Sequence, residues 1–300
     1  MRKYGRLCLV WCCFITVTAI GQPDSVTSGS EHANPILKGI LDPSSSRVFI
    51  AAHRGGYEND KEDEAPENSL VNIENCESKG YALFETDIQR TKDGHFVILH
   101  DPTIDRETSA VGKVSEMTLL ELKVLRKKYR DGSLSLERVA TLEEFLEQGK
   151  GRTVFKADMK PGVSQYFNDI MKLVAAHNAI DGIIFRVPYR EAGFYEQYRN
   201  GGGFIAKHTL MFIVTSKKQV DDIKARFDSS TIEIKLDKAE PTNEKALDLI
   251  RYATDMGFIV ETHAEGGEED WVELINAGVR IFHARAPSKL KGLLQSLPNQ

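Results

Sequence analysis

The chain has 300 residues, 41% of them hydrophobic and 28% charged, and 39 Lys and Arg against 44 Asp and Glu give a formal charge of −5. These proportions exclude a disordered chain, a collagen-like chain and a polytopic membrane protein. The acidic balance argues against nucleic acid as a partner, because phosphate backbones are held by surplus Lys and Arg.

Residues 1–21 read as a secretory signal peptide. Arg2, Lys3 and Arg6 form the basic start, Leu7 to Ile20 the apolar run, and Ala19 and Gly21 place small residues before Gln22. The run is short for a membrane span of about 20 residues. Cleavage after Gly21 predicts an exported protein, periplasmic or extracellular, with no stable membrane insertion. It leaves Cys76 as the single cysteine, so stability must come from a large core and not from disulfides. Residues 22–46 form a polar arm rich in Ser, Gly and Pro, read as a tether or a short cover.

From Arg47 onward, short β-rich runs alternate with helical patterns. The predicted strands are Val48–His53, Ala82–Ile88, His95–His100, Thr153–Asp158, Gly182–Val187, Thr209–Val214, Thr231–Lys235, Phe258–Thr262 and Val279–His283. Helices are predicted at Ser69–Lys79, Leu142–Gln148, Gln165–Asn178, Lys217–Phe227, Asn243–Met256 and Glu269–Ala277. The segment between the second and third strands is too short for a parallel crossover, and Asp93-Gly94 is a hairpin signal. Read as a two-residue turn, it sets Asp87 opposite His100. The remaining eight strands predict an α/β fold, a TIM-type (β/α)8 barrel over residues 47–300 with a small insertion at about 101–140.

The polar residues gather at predicted strand ends, where such barrels build their sites. His53-Arg54-Gly55-Gly56 ends the first strand, Ala65-Pro66-Glu67-Asn68-Ser69 opens the first helix, and Glu85-Thr86-Asp87 ends the second strand. Thr91-Lys92-Asp93-Gly94 leads to His100-Asp101, and Lys156-Ala157-Asp158-Met159-Lys160 ends a further strand. In this order, over about residues 50–160, these elements resemble the glycerophosphodiester phosphodiesterase family. The resemblance implies metal-dependent hydrolysis of glycerophosphodiesters to an alcohol and glycerol phosphate, with one divalent cation, Ca²⁺ or Mg²⁺, and two catalytic histidines. Glu85, Asp87 and Asp158 are hard oxygen donors suited to that cation. His53 and His100 suit general acid and base, and Arg54 and Lys160 suit phosphoryl oxygens. Glu67 and Asn68 are read as capping or orienting the first helix turn, and His177 and His208 as surface or packing residues.

The chain departs from the family pattern at several points, and its carboxyl half resembles the family only in strand–helix rhythm. Asp158 stands where Glu is usual, the acidic loop from Gly56 to Glu64 is long, Val260-Glu261-Thr262-His263 replaces a Trp-containing strand, and Ala284-Arg285-Ala286 precedes Pro287. Substrate choice is the property these changes touch. The alternatives are a phospholipase C-like or D-like enzyme acting on phosphoinositides or lysolipids, and a catalytically silent phosphodiester-binding barrel.

Overall fold

The computed structural model describes residues 34–198 and 206–297; the predicted signal segment lies outside them. Strands β1 (Phe49–Ala52), β2 (Leu83–Arg90), β3 (Phe96–Ile98), β4 (Arg126–Lys128), β5 (Leu134–Arg138) and β6 (Val154–Met159) occupy the first half. The second half supplies β7 (Ile183–Pro188), β8 (Leu210–Val214), β9 (Thr231–Ile234), β10 (Ile259–His263) and β11 (Val279–Ala284). Strands β1, β2 and β6 to β11 pair in parallel, and β1 bonds to both β2 and β11, closing an eight-stranded barrel. β3 lies antiparallel against β2.

Strand alternation divides the side chains into two populations. Phe84, Phe155, Phe185, Phe212 and Phe282 point outward into the layer shared with the helices. Phe49, Leu83, Val154, Ile184, Met211, Ile259 and Ile281 point inward at the barrel foot. The polar arm contributes there: Pro35–Leu41 is a helix capped by Asn34, and its Leu37 and Ile40 are buried against that foot. Helix starts follow the local chemistry. Thr141 and Glu144 form a capping box at Leu142–Gly149, and Ser216 and Asn243 cap Lys217–Arg226 and Glu244–Asp255.

The hairpin between β2 and β3 differs from the expected two-residue turn. Ile88 faces Ile98 and Arg90 faces Phe96, one residue out of the expected register. Thr91 N–H donates to the His95 carbonyl (2.9 Å), so the loop has three central residues, closed by Gly94 at φ +96°. Asp93 accepts the Thr91 hydroxyl within the turn (2.6 Å) and also Leu119 N–H (3.0 Å), at the start of the short helix Leu119–Lys123. Asp87 therefore stands opposite Leu99, whose N–H it accepts at 3.1 Å, and not opposite His100.

The chain between β3 and β6 carries the antiparallel β4–β5 hairpin and that short helix. Val97, Leu99, Ile104, Val114, Leu122 and Val139 give it a small core of its own.

Candidate active site

β1 delivers His53 to the barrel mouth, and the chain then turns through three consecutive left-handed residues: Arg54 (φ +48°), Gly55 (+86°) and Gly56 (+77°). Gly55 is required for space as well as for its torsion angle, since a Cβ there would lie 2.5 Å from the Phe84 ring and 2.7 Å from Asn72 Cβ. The turn points the Arg54 N–H at Glu85 Oε2 (3.0 Å), and the Arg54 carbonyl accepts Asn68 N–H (2.9 Å). The Arg54 guanidinium grips both Glu67 oxygens, at 3.1 and 2.9 Å, with Nε 3.7 Å from Asp87 Oδ2.

Glu67 and Asn68 do not cap the first helix, contrary to expectation. That helix runs Val71–Lys79 from Leu70 with no side-chain cap, and Asn68 sits outside it at φ +53°. Asn68 instead donates to Asp87 Oδ2 (2.8 Å), while Thr86 Oγ1 donates to the Asn68 amide oxygen (3.0 Å) and sets its orientation.

Glu85 and Asp87 alternate into the barrel, and β2–β6 pairing sets Asp87 beside Asp158. Lys160 Nζ lies 2.5 Å from Asp87 Oδ1 and 3.0 Å from Asp158 Oδ2. Burial, and then the Glu85 charge, push the Asp87 carboxyl up to about 7 against the pull of Lys160 and Asn68. Burial also opposes ionisation of Glu85, but His283, His53 and Lys156 together hold it well below the usual carboxylate range.

His100 Nδ1 lies 2.6 Å from Asp101 Oδ1, an arrangement that puts the ring proton on Nδ1 and leaves Nε2 as acceptor. Arg106 Nε donates to Asp101 Oδ2 (2.6 Å) and its Nη2 to Glu67 Oε1 (2.6 Å). His100 is thus tied to Arg54 through Asp101, Arg106 and Glu67. The His100 and Asp101 N–H groups both donate to Glu107 Oε1 (2.9 Å each), whose other oxygen lies 3.6 Å from buried Lys127 Nζ. Burial lowers His100 despite Asp101, and burial takes His53 down to about 4 despite Glu85. Both shifts favour the neutral imidazole.

Below these groups lies a polar layer that sequence reading missed. Lys156 Nζ, buried, contacts Glu233 Oε2 (3.0 Å), Glu261 Oε1 and His283 Nδ1 (3.3 Å). Arg186 grips both Glu233 oxygens, at 2.6 and 2.7 Å, and His263 Nε2 approaches Glu233 at 3.5 Å. Burial, opposed by Lys156, raises Glu261 to about 7. One signal in the sequence pointed here: Glu261 and His263 follow Ile259 at alternate positions, and His283 follows Ile281, so all three inherit the inward face.

His53, Glu85 and His283 bring potential ligand atoms within 4.8 Å of one another. With charged Lys156 donating to Nδ1, however, the His283 proton sits on Nε2, which faces Glu85 Oε2 at 3.4 Å and offers no lone pair to a cation. The oxygen donors fit better. Asp87 Oδ1 is buried with no aligned hydrogen bond among the described residues, and its charge is met by an ammonium it shares with Asp158. Oxygen-only donors of this kind suit a hard divalent cation.

The acidic loop forms one wall of a neighbouring cavity of about 430 Å³, lined by Tyr57, Glu67, Arg106, Lys128, Tyr129 and Arg130 among others. Asp60 Oδ2 accepts Arg130 N–H (2.5 Å) and Lys61 pairs with Asp131 (2.6 Å), pinning the loop to the β4–β5 hairpin. His208 and His177 stand apart from the site: His208 is buried with Nε2 3.0 Å from the Ile180 carbonyl, and His177 Nδ1 is 3.4 Å from Glu147.

The closed barrel with histidines, cations and a carboxylate cluster at its strand carboxyl ends defines a TIM-type barrel protein with a catalytic-type centre. Residues 53–179 match the glycerophosphoryl diester phosphodiesterase family model. Over 132 residues it is 34% identical to a glycerophosphodiester phosphodiesterase of Caldanaerobacter subterraneus subsp. tengcongensis, covering 43% of this chain and 52% of the relative. Over 86 residues it is 38% identical to glycerophosphodiester phosphodiesterase 1 of Bos taurus, covering 29% of this chain and 24% of the relative. The matches therefore span about half or less of these relatives' own lengths. The fold is shared more widely. A glycerophosphoryl diester phosphodiesterase from Parabacteroides distasonis superposes with a TM-score of 0.72 at 23% identity, covering 88% of this chain and 93% of that one. An Oleispira antarctica phosphodiesterase, solved with the product sn-glycerol-3-phosphate, superposes with a TM-score of 0.64 at 18% identity, covering 84% and 100%.

Proposed function

We propose that this protein hydrolyses small glycerophosphodiesters to an alcohol and glycerol phosphate. The observation that carries the reading is the junction of β2 and β6 beneath the His53-Arg54 turn, which gathers Glu85, Asp87, Asp158, Lys160 and Arg54 at one mouth. The family match and the glycerol phosphate found with the Oleispira antarctica protein support the substrate class.

Glu85, Asp87 and Asp158 would hold one divalent cation, Ca²⁺ or Mg²⁺, which when bound would polarise a phosphoryl oxygen as a Lewis acid. Arg54 and Lys160 neutralise phosphoryl charge. His53 and His100 exchange protons with the attacking hydroxyl and the leaving alkoxide; burial favours the neutral form of both, so either can begin as base. Asp101 acts through His100, holding its tautomer. Attack by a neighbouring glycerol hydroxyl would give a cyclic phosphate and the free alcohol. Water would then open the ring with the histidine roles exchanged.

Export after cleavage at Gly21 is part of the proposal, tested by sequencing the amino terminus of the mature protein. The activity is tested by release of alcohol and glycerol phosphate from a panel of diesters, with and without chelator. Release that chelator abolishes and added Ca²⁺ or Mg²⁺ restores is expected. Tight diester binding with no release would overturn the hydrolase reading in favour of a silent barrel.

A further inference from the structure

The described residues include six exposed large hydrophobic side chains, and five of them lie in the insertion: Val111, Leu120, Val124, Leu134 and Leu136, the last 84% exposed. Single exposed aliphatics are ordinary on protein surfaces, but a concentration in one short segment marks an interaction face. Leu120 and Val124 are four residues apart across the short helix Leu119–Lys123 and its end, on one side of it. Leu134, Leu136 and Arg138 alternate along the exposed face of β5. The two groups meet where Arg138 Nη1 donates to the Val124 carbonyl (2.5 Å). Arg126, facing Arg138 in the hairpin, turns its guanidinium onto the Ser135 carbonyl (2.5 Å) and the Leu134 carbonyl (3.5 Å). Neither guanidinium has a carboxylate partner among the described residues, although the chain as a whole is acidic.

We propose that the insertion docks this protein onto an anionic lipid surface, with Leu120, Val124, Leu134 and Leu136 entering the acyl boundary and Arg126 and Arg138 meeting the headgroup phosphates. The chemistry favours lipid over protein. The face sets exposed aliphatic side chains directly beside two cationic guanidiniums, the pairing of apolar and basic groups that interfacial segments present to anionic lipid. The two guanidiniums beside it are held by backbone carbonyls and not by carboxylates, so each keeps its positive charge and further N–H donors for phosphate oxygens. The same insertion holds His100 through Glu107 and Arg106, so docking would bring the barrel mouth close to diesters at the surface. That consequence for catalysis rests on the phosphodiesterase reading; the docking itself does not.

The test is co-sedimentation of the full chain with vesicles of phosphatidylcholine alone or with about one-third phosphatidylglycerol. Binding to the anionic vesicles is expected to exceed binding to the neutral ones and to weaken with salt. Leu120→Glu with Leu136→Glu should lower partitioning about tenfold or more. Both side chains are over three-quarters exposed, so the thermal midpoint should not move. Arg126→Gln with Arg138→Gln should remove most of the salt dependence. The variants share the wild-type amino terminus, so the differences report the insertion alone. Equal partitioning by the double Glu variant, no preference for anionic vesicles, or crosslinking of this face to a protein without vesicle binding would each overturn the proposal. Loss of hydrolysis on a soluble diester such as glycerophosphocholine is a separate result. It would overturn the phosphodiesterase reading and leave the docking intact.

Discussion

Lys160 Nζ lies 2.5 Å from Asp87 Oδ1, close enough for the ammonium to compete with any cation held by the same carboxylate. Asp158 shares that ammonium from the facing position on β6. Asp158→Asn should therefore weaken Ca²⁺ or Mg²⁺ binding about tenfold or more, and Lys160→Met should strengthen it, as read by titration calorimetry. Unchanged affinity in Asp158→Asn would remove that residue from the ligand set.

His53→Ala and His100→Ala should each lower turnover by on the order of 10²-fold or more. Both rings are only partly buried at the barrel mouth, so circular dichroism and thermal midpoints should stay close to wild type. Asp101→Asn should act in the same direction as His100→Ala but less strongly, with a shifted pH–rate profile, because it releases the ring without removing it. Near wild-type turnover in either folded His variant would rule out the two-histidine mechanism.

Glu67 is held near pKa 2: burial works against its charge, but hydrogen bonding to Arg106 and the charges of Arg54 and Arg106 outweigh it. Its folded value lies below its ordinary value of 4.5. Its contribution to stability is thus complete above about pH 4.5 and is lost as pH falls through about 2. Glu67→Gln should be less stable than wild type at neutral pH, and the two urea midpoints should converge in acid. A constant gap between them across that window would contradict the assignment.

Lys156 is buried between Glu233 and Glu261. Lys156→Met leaves two buried carboxylates without this partner and should cost roughly 3–5 kcal/mol in urea unfolding. Pairing it with Glu261→Gln should recover part of that loss, because Glu233 keeps Arg186. A loss below about 1 kcal/mol in Lys156→Met would mean that the polar layer is better hydrated than its burial indicates.

Strand and helix rhythm, the eight parallel strands and the residues of the β2 and β6 ends were all legible in the sequence. Each is written locally: alternation sends Leu83, Glu85 and Asp87 to one face whatever the rest of the chain does. The hairpin register was not legible. The loop is closed by bonds around Thr91 and tied through Asp93 to Leu119, a partner 26 residues away, neither of which the Asp-Gly pair alone signals. Asn68 and Glu67 read as capping residues because their types favour helix starts. Only the left-handed turn at Arg54 and the approach of Arg106 turn them onto Asp87 and the cations. The layer of Lys156, Arg186, Glu233, Glu261, His263 and His283 was hidden for the same reason. Its members are spread over β6, β7, β9, β10 and β11, and barrel closure, by bringing these strands around one interior, makes one charge network of them. The sequence by itself thus determined which face each side chain takes, because alternation is a property of neighbouring residues. The tertiary structure decided which side chains meet, because charge pairing and burial depend on distances across the closed barrel.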